Sequence, residues 1–349
     1  MNAEPITPYQ RLVTALQGGT PDRVPVFLPL TMHGAKELGL GLREYFAKGE
    51  HVAEGQLRLQ QKFRHDGLFL VFFGVAEAMP FGAEAIFFDD GPPNMGTPPL
   101  RDWQRIPHLA VPDPLDSPPL RETLRAIELC AGRVKGTVPI SGMAVPPFSL
   151  PAMLLGLESW LELLLFGPAA LRDALLRVTA EFCVRWANMQ LAAGADAIVL
   201  PDAVSSGTII TREQFMAWSL PLLCETIQRI EGPVLLAGVG RVQPIADLLP
   251  QTGALAALVT AEDDLVRCKT AFGGRLGLIG NVNNVAMLGW DHAEALREAR
   301  SCLRSAAPGG GYVLAPQWEL PYAVPDEALA GLVDAAERWG RYPLPDGET

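Results

Sequence analysis

Short, almost wholly apolar runs alternate along the chain with longer stretches in which apolar residues return every three or four positions. This is the pattern of buried parallel strands separated by amphipathic helices. The runs at 24–28, 68–73, 134–140, 195–200, 234–239, 255–259, 276–279 and 312–314 read as strands. Helical spacing predicts helices near 50–64, 118–131, 158–166, 168–193, 212–230, 242–249, 262–272, 292–306 and 325–340. Ahead of the first strand, Thr7 is a plausible N-cap with Pro8 at the first helical position, which predicts an arm helix within residues 1–20. About eight strand–helix units joined by right-handed crossovers close most simply into a (β/α)8 TIM barrel of the α/β class. A doubly wound open sheet is the alternative, but no strand is followed by Gly-x-Gly-x-x-Gly at a helix start.

One stretch interrupts the alternation. Residues 74–119 are rich in Gly and Pro, with 83–88 as a short strand and Gly91-Pro92-Pro93 and Thr97-Pro98-Pro99 as turns or extended loop. Long connections in compact domains are more often functional than idle, so this excursion after the second strand is expected over the mouth, as a lid or a dimer surface. With the arm helix it could supply a twofold interface. Residues 1–349 are otherwise expected to form one barrel domain.

Composition narrows the partners. A net charge of −11 disfavours nucleic acid and anionic membrane, leaving a small molecule as the expected substrate. No apolar run approaches the roughly 18 residues needed to span a bilayer. The opening Met1-Asn2-Ala3-Glu4-Pro5 lacks the basic and apolar parts of a signal peptide, which points to the cytoplasm. The cysteines at 130, 183, 224, 268 and 302 have neither disulfide-framework nor metal-type spacing and are expected to be reduced and mostly buried.

In a closed parallel barrel the C-terminal strand ends share one face, where the chemistry gathers. The residues expected there are His33, Glu77, Ser141 with Met143, Asp202 with Ser205 and Ser206, Gly238 with Gly240 and Arg241, Asn281 with Asn283 and Asn284, and Gln317 with Trp318 and Glu319. This oxygen, amide and aromatic set suits a polar small molecule, with Asp202 and Glu77 as the candidate acid, base or cation partner. Each has a plainer alternative. Asp202 could cap the helix beginning near Thr211 or tie down a loop, Asn281 could satisfy loop backbone, Glu77 could be a solvated loop charge, and Trp318 could be rim packing.

Several segments resemble the uroporphyrinogen decarboxylase superfamily, in order and over nearly the whole chain. They are Arg11, Pro21-Asp22-Arg23-Val24-Pro25, Glu77-Ala78 to Gly82, Gly194-Ala195-Asp196 through Asp202, Pro221, Gly280-Asn281-Val282, and Gly310-Gly311-Tyr312 to Pro321. The resemblance implies a (β/α)8 barrel with its pocket at the C-terminal face. True decarboxylases of this superfamily carry a Met-Arg-Gln-Ala-Gly-Arg segment whose arginines bind the tetrapyrrole carboxylates. Here the region reads Leu30-Thr31-Met32-His33-Gly34-Ala35, without the guanidiniums that give bidentate recognition.

The Glu77-Ala78 segment and the loop from Asp202 to Gly207 look closer to the cobamide-dependent methyltransferases. Thiol-methylating members of that branch hold zinc with a His-x-Cys after the fifth strand and a Cys after the eighth. Aligned on those motifs, this chain has Ala237, Val239 and Trp318, none of which ligates a metal through its side chain, and Asn283-Asn284 replaces a more usual Asp-Pro. The leading expectation is therefore a metal-free, corrinoid (cobalamin)-dependent methyltransferase, with the corrinoid carried on a partner protein. The alternatives are a decarboxylase or lyase acting on a tetrapyrrole or other small acid, and a non-catalytic corrinoid- or tetrapyrrole-binding protein.

Overall fold

The computed structural model describes residues 6–344. Its strands are β1 (Leu68–Phe69), β2 (Ala85–Ile86), β3 (Asn94–Met95), β4 (Ile140–Met143), β5 (Ala197–Asp202), β6 (Val234–Gly238), β7 (Ala256–Leu258), β8 (Gly277–Val282) and β9 (Tyr312–Pro316). Helices α1 (Pro8–Leu16), α2 (His33–Leu38), α3 (Leu42–Tyr45) and α4 (Gly49–Phe63) precede or flank β1. Between β3 and β5 lie α5 (Pro118–Val134), α6 (Leu150–Leu155), α7 (Leu157–Phe166) and α8 (Ala169–Ala193). The rest are α9 (Arg212–Gln214), α10 (Leu220–Arg229), α11 (Leu265–Phe272), α12 (His292–Ala306) and α13 (Asp326–Trp339).

Seven strands form one curled parallel sheet in the order β1-β4-β5-β6-β7-β8-β9, a barrel-like α/β architecture. The expected first strand, 24–28, is not a full ladder, because Pro25 and Pro29 have no N–H to donate. It nevertheless ties the two sheet edges together. Val26 bridges in parallel to Leu314 on β9, and on the other side its carbonyl accepts from the Asp66 amide at 2.7 Å.

A buried ion network holds this joint. Asp66, fully buried ahead of β1, accepts from the Arg11 and Arg23 guanidiniums at 2.6 Å each and from the Val26 amide at 2.8 Å. Arg11 also grips Asp22, and Arg23 reaches Glu337 on α13. One carboxylate thus joins α1, the Pro-rich first segment, β1 and the last helix.

The predicted arm helix is instead a plug. Thr7 and Gln10 form a capping box that starts α1, and its Leu12, Ala15 and Leu16 join the apolar cluster of inward strand residues that includes Phe69, Val199, Leu235, Ala256 and Ile279. The Leu16 carbonyl lies against Gly277, the first residue of β8, so α1 covers the N-terminal end of the strands. The excursion at 74–119 is mostly short turns around the antiparallel β2–β3 pair. Phe81 packs on Phe182 of α8 with ring centres 5.0 Å apart, and the Leu100 amide donates to the Leu154 carbonyl of α6. These contacts tie it to the surrounding helices.

Three sequence boundaries shift. The strand expected at 134–140 is β4, because α5 runs on to Val134 before the chain turns at Gly136. β8 extends through Val282, which puts Asn281 inside the strand. The helix expected at 242–249 is only a pair of single turns, each with a proline, Pro244 and Pro250.

Asp66→Asn should lower folding stability by ~3–5 kcal/mol in urea unfolding, since it removes the buried carboxylate on which Arg11 and Arg23 converge and leaves each with only its outer carboxylate partner, Asp22 or Glu337. The half-exposed Asp22→Asn should cost far less, about 1 kcal/mol or below. Equal losses in the two variants would contradict this account of the joint.

Candidate functional site

Asp202 is the last residue of β5 and is partly exposed at the strand's C-terminal end. Its Oδ1 accepts from the Ser149 hydroxyl at 2.7 Å and the Ser205 amide at 3.0 Å, while the Ser149 oxygen accepts from the Val204 amide at 3.1 Å. Burial raises the Asp202 pKa above the usual carboxylate range, and these hydrogen bonds only partly oppose it. The expected alternative, capping the next helix, does not hold, because Thr211 caps α9 with its own hydroxyl.

Glu77 stands in a short turn after β1 and is buried, not a solvated loop charge. Its Oε2 accepts from the Val145 amide at 2.8 Å. It borders a very small cavity with Val71, Met143, Trp186 and Gln190, between the sheet and α8. Burial pushes its pKa up to about 8, against hydrogen bonds from Val145 and Trp186. The Cys183 thiol on α8 is pushed far up by burial and then by the charges of both Glu77 and Asp202, so the two carboxyls share one neighbourhood behind the sheet.

Several of the expected substrate contacts are spent on the protein itself. The Asn281 amide donates to the Thr260 and Asp263 carbonyls at 2.7 and 2.8 Å. Asn283, exposed, caps the following turn through the Val285 and Ala286 amides. Gln317 accepts from the Ala261 amide at 2.8 Å and donates to Asn284 at 2.7 Å. Asn284 donates onward to the Glu319 carbonyl, and the Glu319 carboxyl accepts from Thr31. This chain of bonds runs from the first segment to the loop after β7. Ser205 pairs with Ser219 at 2.5 Å, and Ser206 donates to the Ala203 carbonyl at 2.9 Å. Burial raises the Glu319 pKa, with the Thr31 hydrogen bond opposing.

Ser141 and Met143, expected past a strand, lie within β4, and Met143 belongs to the inward apolar cluster. His33 opens α2 rather than a loop. It is buried, its ring meets Tyr322 edge-on at 6.3 Å, and neither ring nitrogen has a partner among the described residues. Burial, with the nearby Lys36 charge, lowers its pKa to about 4, so the imidazole is neutral at pH 7.

What faces inward is apolar. Met143, Val199, Ala237, Leu258, Ile279 and Ala315 form the wall, and Trp318 packs on it, edge-on to Phe69 at 6.2 Å. Val239, just past β6, is partly open to solvent. Ala237, Val239 and Trp318 offer no donor to a cation, and among the described residues no group of three His, Cys, Asp or Glu side chains is close enough to hold one. Among the described residues, no helix is long and apolar enough to cross a membrane.

The sequence pattern did not reveal Ser149, Asp263 or Gln190. Asp263 accepts from the Val242, Gln243 and Thr260 amides, fixing the loops after β6 and β7. Gln190 bonds both the amide and the carbonyl of Met143. All three pair with segments far away in sequence, and only a polar residue on an otherwise apolar helix face hinted at Gln190.

The fold and the placement of these residues belong to a known class. The profile described as uroporphyrinogen decarboxylase (URO-D) matches residues 7–339, and the chain belongs to that family. It is 26% identical to the uroporphyrinogen decarboxylase of Alkalilimnicola ehrlichii, over 94% of this chain and 93% of that protein. It is also 26% identical to the one from Thioalkalivibrio sulfidiphilus, over 83% and 84%. Among solved structures it resembles a methyltransferase from Methanosarcina mazei, with a TM-score of 0.87, 24% identity, and coverage of 96% of this chain and 99% of that one.

The raised Glu77 pKa has a definite sign in stability. Between its ordinary value of 4.5 and about 8 the folded chain keeps a proton that the unfolded chain has released. Stability should therefore fall as pH rises through that window and level off above it. Glu77→Gln should flatten that slope in unfolding measured from pH 5 to pH 9, on the order of a few kcal/mol across the window. An unchanged slope would show that Glu77 titrates normally.

Proposed function

We propose that this protein transfers a methyl group between a corrinoid, carried by a partner protein, and a small molecule whose reacting end is uncharged. The observation that carries this reading is the apolar inward wall, which contains Ala237 and against which Trp318 packs, with the exposed Val239 just past β6; none of the three has a metal-binding side chain. Such a wall suits a methyl-bearing group and excludes water from it, whereas a thiol that needs a bound metal has nothing to activate it. The Methanosarcina mazei structure, named a methyltransferase, is consistent with the proposal at the level of fold.

The corrinoid, when bound, supplies the centre that takes or gives the methyl group. The chain's own part is placement and one proton. Asp202, with its raised pKa and its Oδ1 held by Ser149 and Ser205, keeps a carboxyl near the strand ends that can hold a proton for the departing group. Trp318 supplies an aromatic face against which the small molecule is oriented.

The names of the curated relatives favour a second reading, loss of carbon dioxide from a small acid. Against it stands the absence of arginine from residues 30–35, where the carboxylate-binding guanidiniums of the decarboxylases belong.

Purified protein mixed with cobalamin and a panel of methyl donors and acceptors should change the cobalamin absorption spectrum with at least one of them. Asp202→Asn should slow that change about 10²-fold while leaving thermal stability nearly unchanged. Activity should survive dialysis against a chelator. Carbon dioxide release from a candidate acid, lost in Asp202→Asn and accompanied by no cobalamin change, would favour the second reading instead.

A further inference from the structure

The N-terminal ends of the strands, opposite Asp202, carry a cleft of about 680 Å³ beside the α1 plug. None of the described residues lining it is acidic, in a chain with 39 Asp and Glu. It carries two cations instead, Lys269 and Arg275, and three amide side chains, Gln17, Gln228 and Gln251. Its lining also includes the apolar side chains of Ile227, Pro233, Leu255 and Leu276.

The two cations differ in kind. The Lys269 ammonium is half-buried and donates to three backbone carbonyls, those of Ala306, Pro308 and Gly310, fixing the glycine turn ahead of β9. Its charge is therefore satisfied by neutral oxygens but not balanced by a carboxylate. Arg275 is exposed and has no ion-pair or side-chain hydrogen-bond partner among the described residues. Gly253, Gly274 and Gly309, all at positive φ in turns lining the cleft, have amides with no backbone acceptor. Without Cβ atoms these turns leave the floor open to a ligand's close approach. Donors, positive charge and apolar side chains thus line the same cleft.

We propose that this cleft binds a small phosphate ester carrying a flat ring, of about nucleotide size, with the phosphate at Arg275 and the ring against the Ile227–Leu255 side. The size lies within the ~300–1,000 Å³ usual for small-molecule sites. A guanidinium in a cleft also lined by glycine turns whose amides have no backbone acceptor among the described residues is a pairing that suits a phosphate. Lys269 acts here as a fixed background charge, and burial without a compensating carboxylate, which lowers its pKa, is relieved by a bound anion. The amides of Gln228 and Gln251 are placed to bond the sugar or the ring edge. This site lies at the other end of the strands from the candidate reaction centre and does not depend on which reaction occurs there.

The test is isothermal titration calorimetry on the full chain with three probes: adenosine monophosphate, adenosine and inorganic phosphate. Adenosine monophosphate should bind one per chain, at least 10-fold more tightly than either adenosine or phosphate. Arg275→Ala should weaken it about 10-fold, and Arg275→Glu further, with thermal stability of the free variants unchanged. Asp202→Asn should leave this binding as it is. No saturable binding at millimolar nucleotide, equal binding of adenosine, or indifference to both Arg275 variants would overturn the proposal.

Discussion

The buried carboxylate of Asp66 is what lets a chain with a proline-interrupted first segment close its sheet at all. Two guanidiniums and a backbone amide converge on it, one from α1 and two from the first segment. Desolvating such charges is costly, and only dense pairing offsets it, so the network is stable only when α1, the first segment and α13 are all in place. That coupling makes the joint cooperative. With α1 seated under the strands and Val26 bridged to β9, the opposite strand ends are held at fixed spacing, and it is there that Asp202 and Trp318 stand.

A second constraint follows from where polar groups find partners. Buried amides and hydroxyls must be bonded, and at the strand ends most of them bond to one another or to loop backbone. Asn281, Asn283, Gln317 and Ser205 are used this way, leaving an apolar wall below a rigid polar collar. The collar fixes the loops without presenting many free donors inward. Among the carboxyls at these strand ends, burial raises the pKa of both Asp202 and Glu319. Glu77 and His33, with shifts of opposite sign, owe them to the same burial: each is held neutral around pH 7 by its surroundings.

Membership of the uroporphyrinogen decarboxylase family accounts for the architecture. A shared fold permits several reactions, and here the reaction is read from side chains that line the inner wall.

Sequence alone determined what depends on local periodicity and on residue type. It placed β5, α8, α12 and α13 within a few residues and named Asp202 as a strand-end carboxylate. It did less well where proline or a helix end decided the boundary, as at 24–28, 134–140 and 242–249. Only the tertiary structure decided that α1 is a plug, that Glu77 lies behind the sheet beside Cys183, and that the asparagines and Gln317 serve the loops. The reason is physical. A hydrophobic period reports which face of an element is buried, but a polar side chain's role depends on partners brought near by folding, such as Ser149 for Asp202, 53 positions apart.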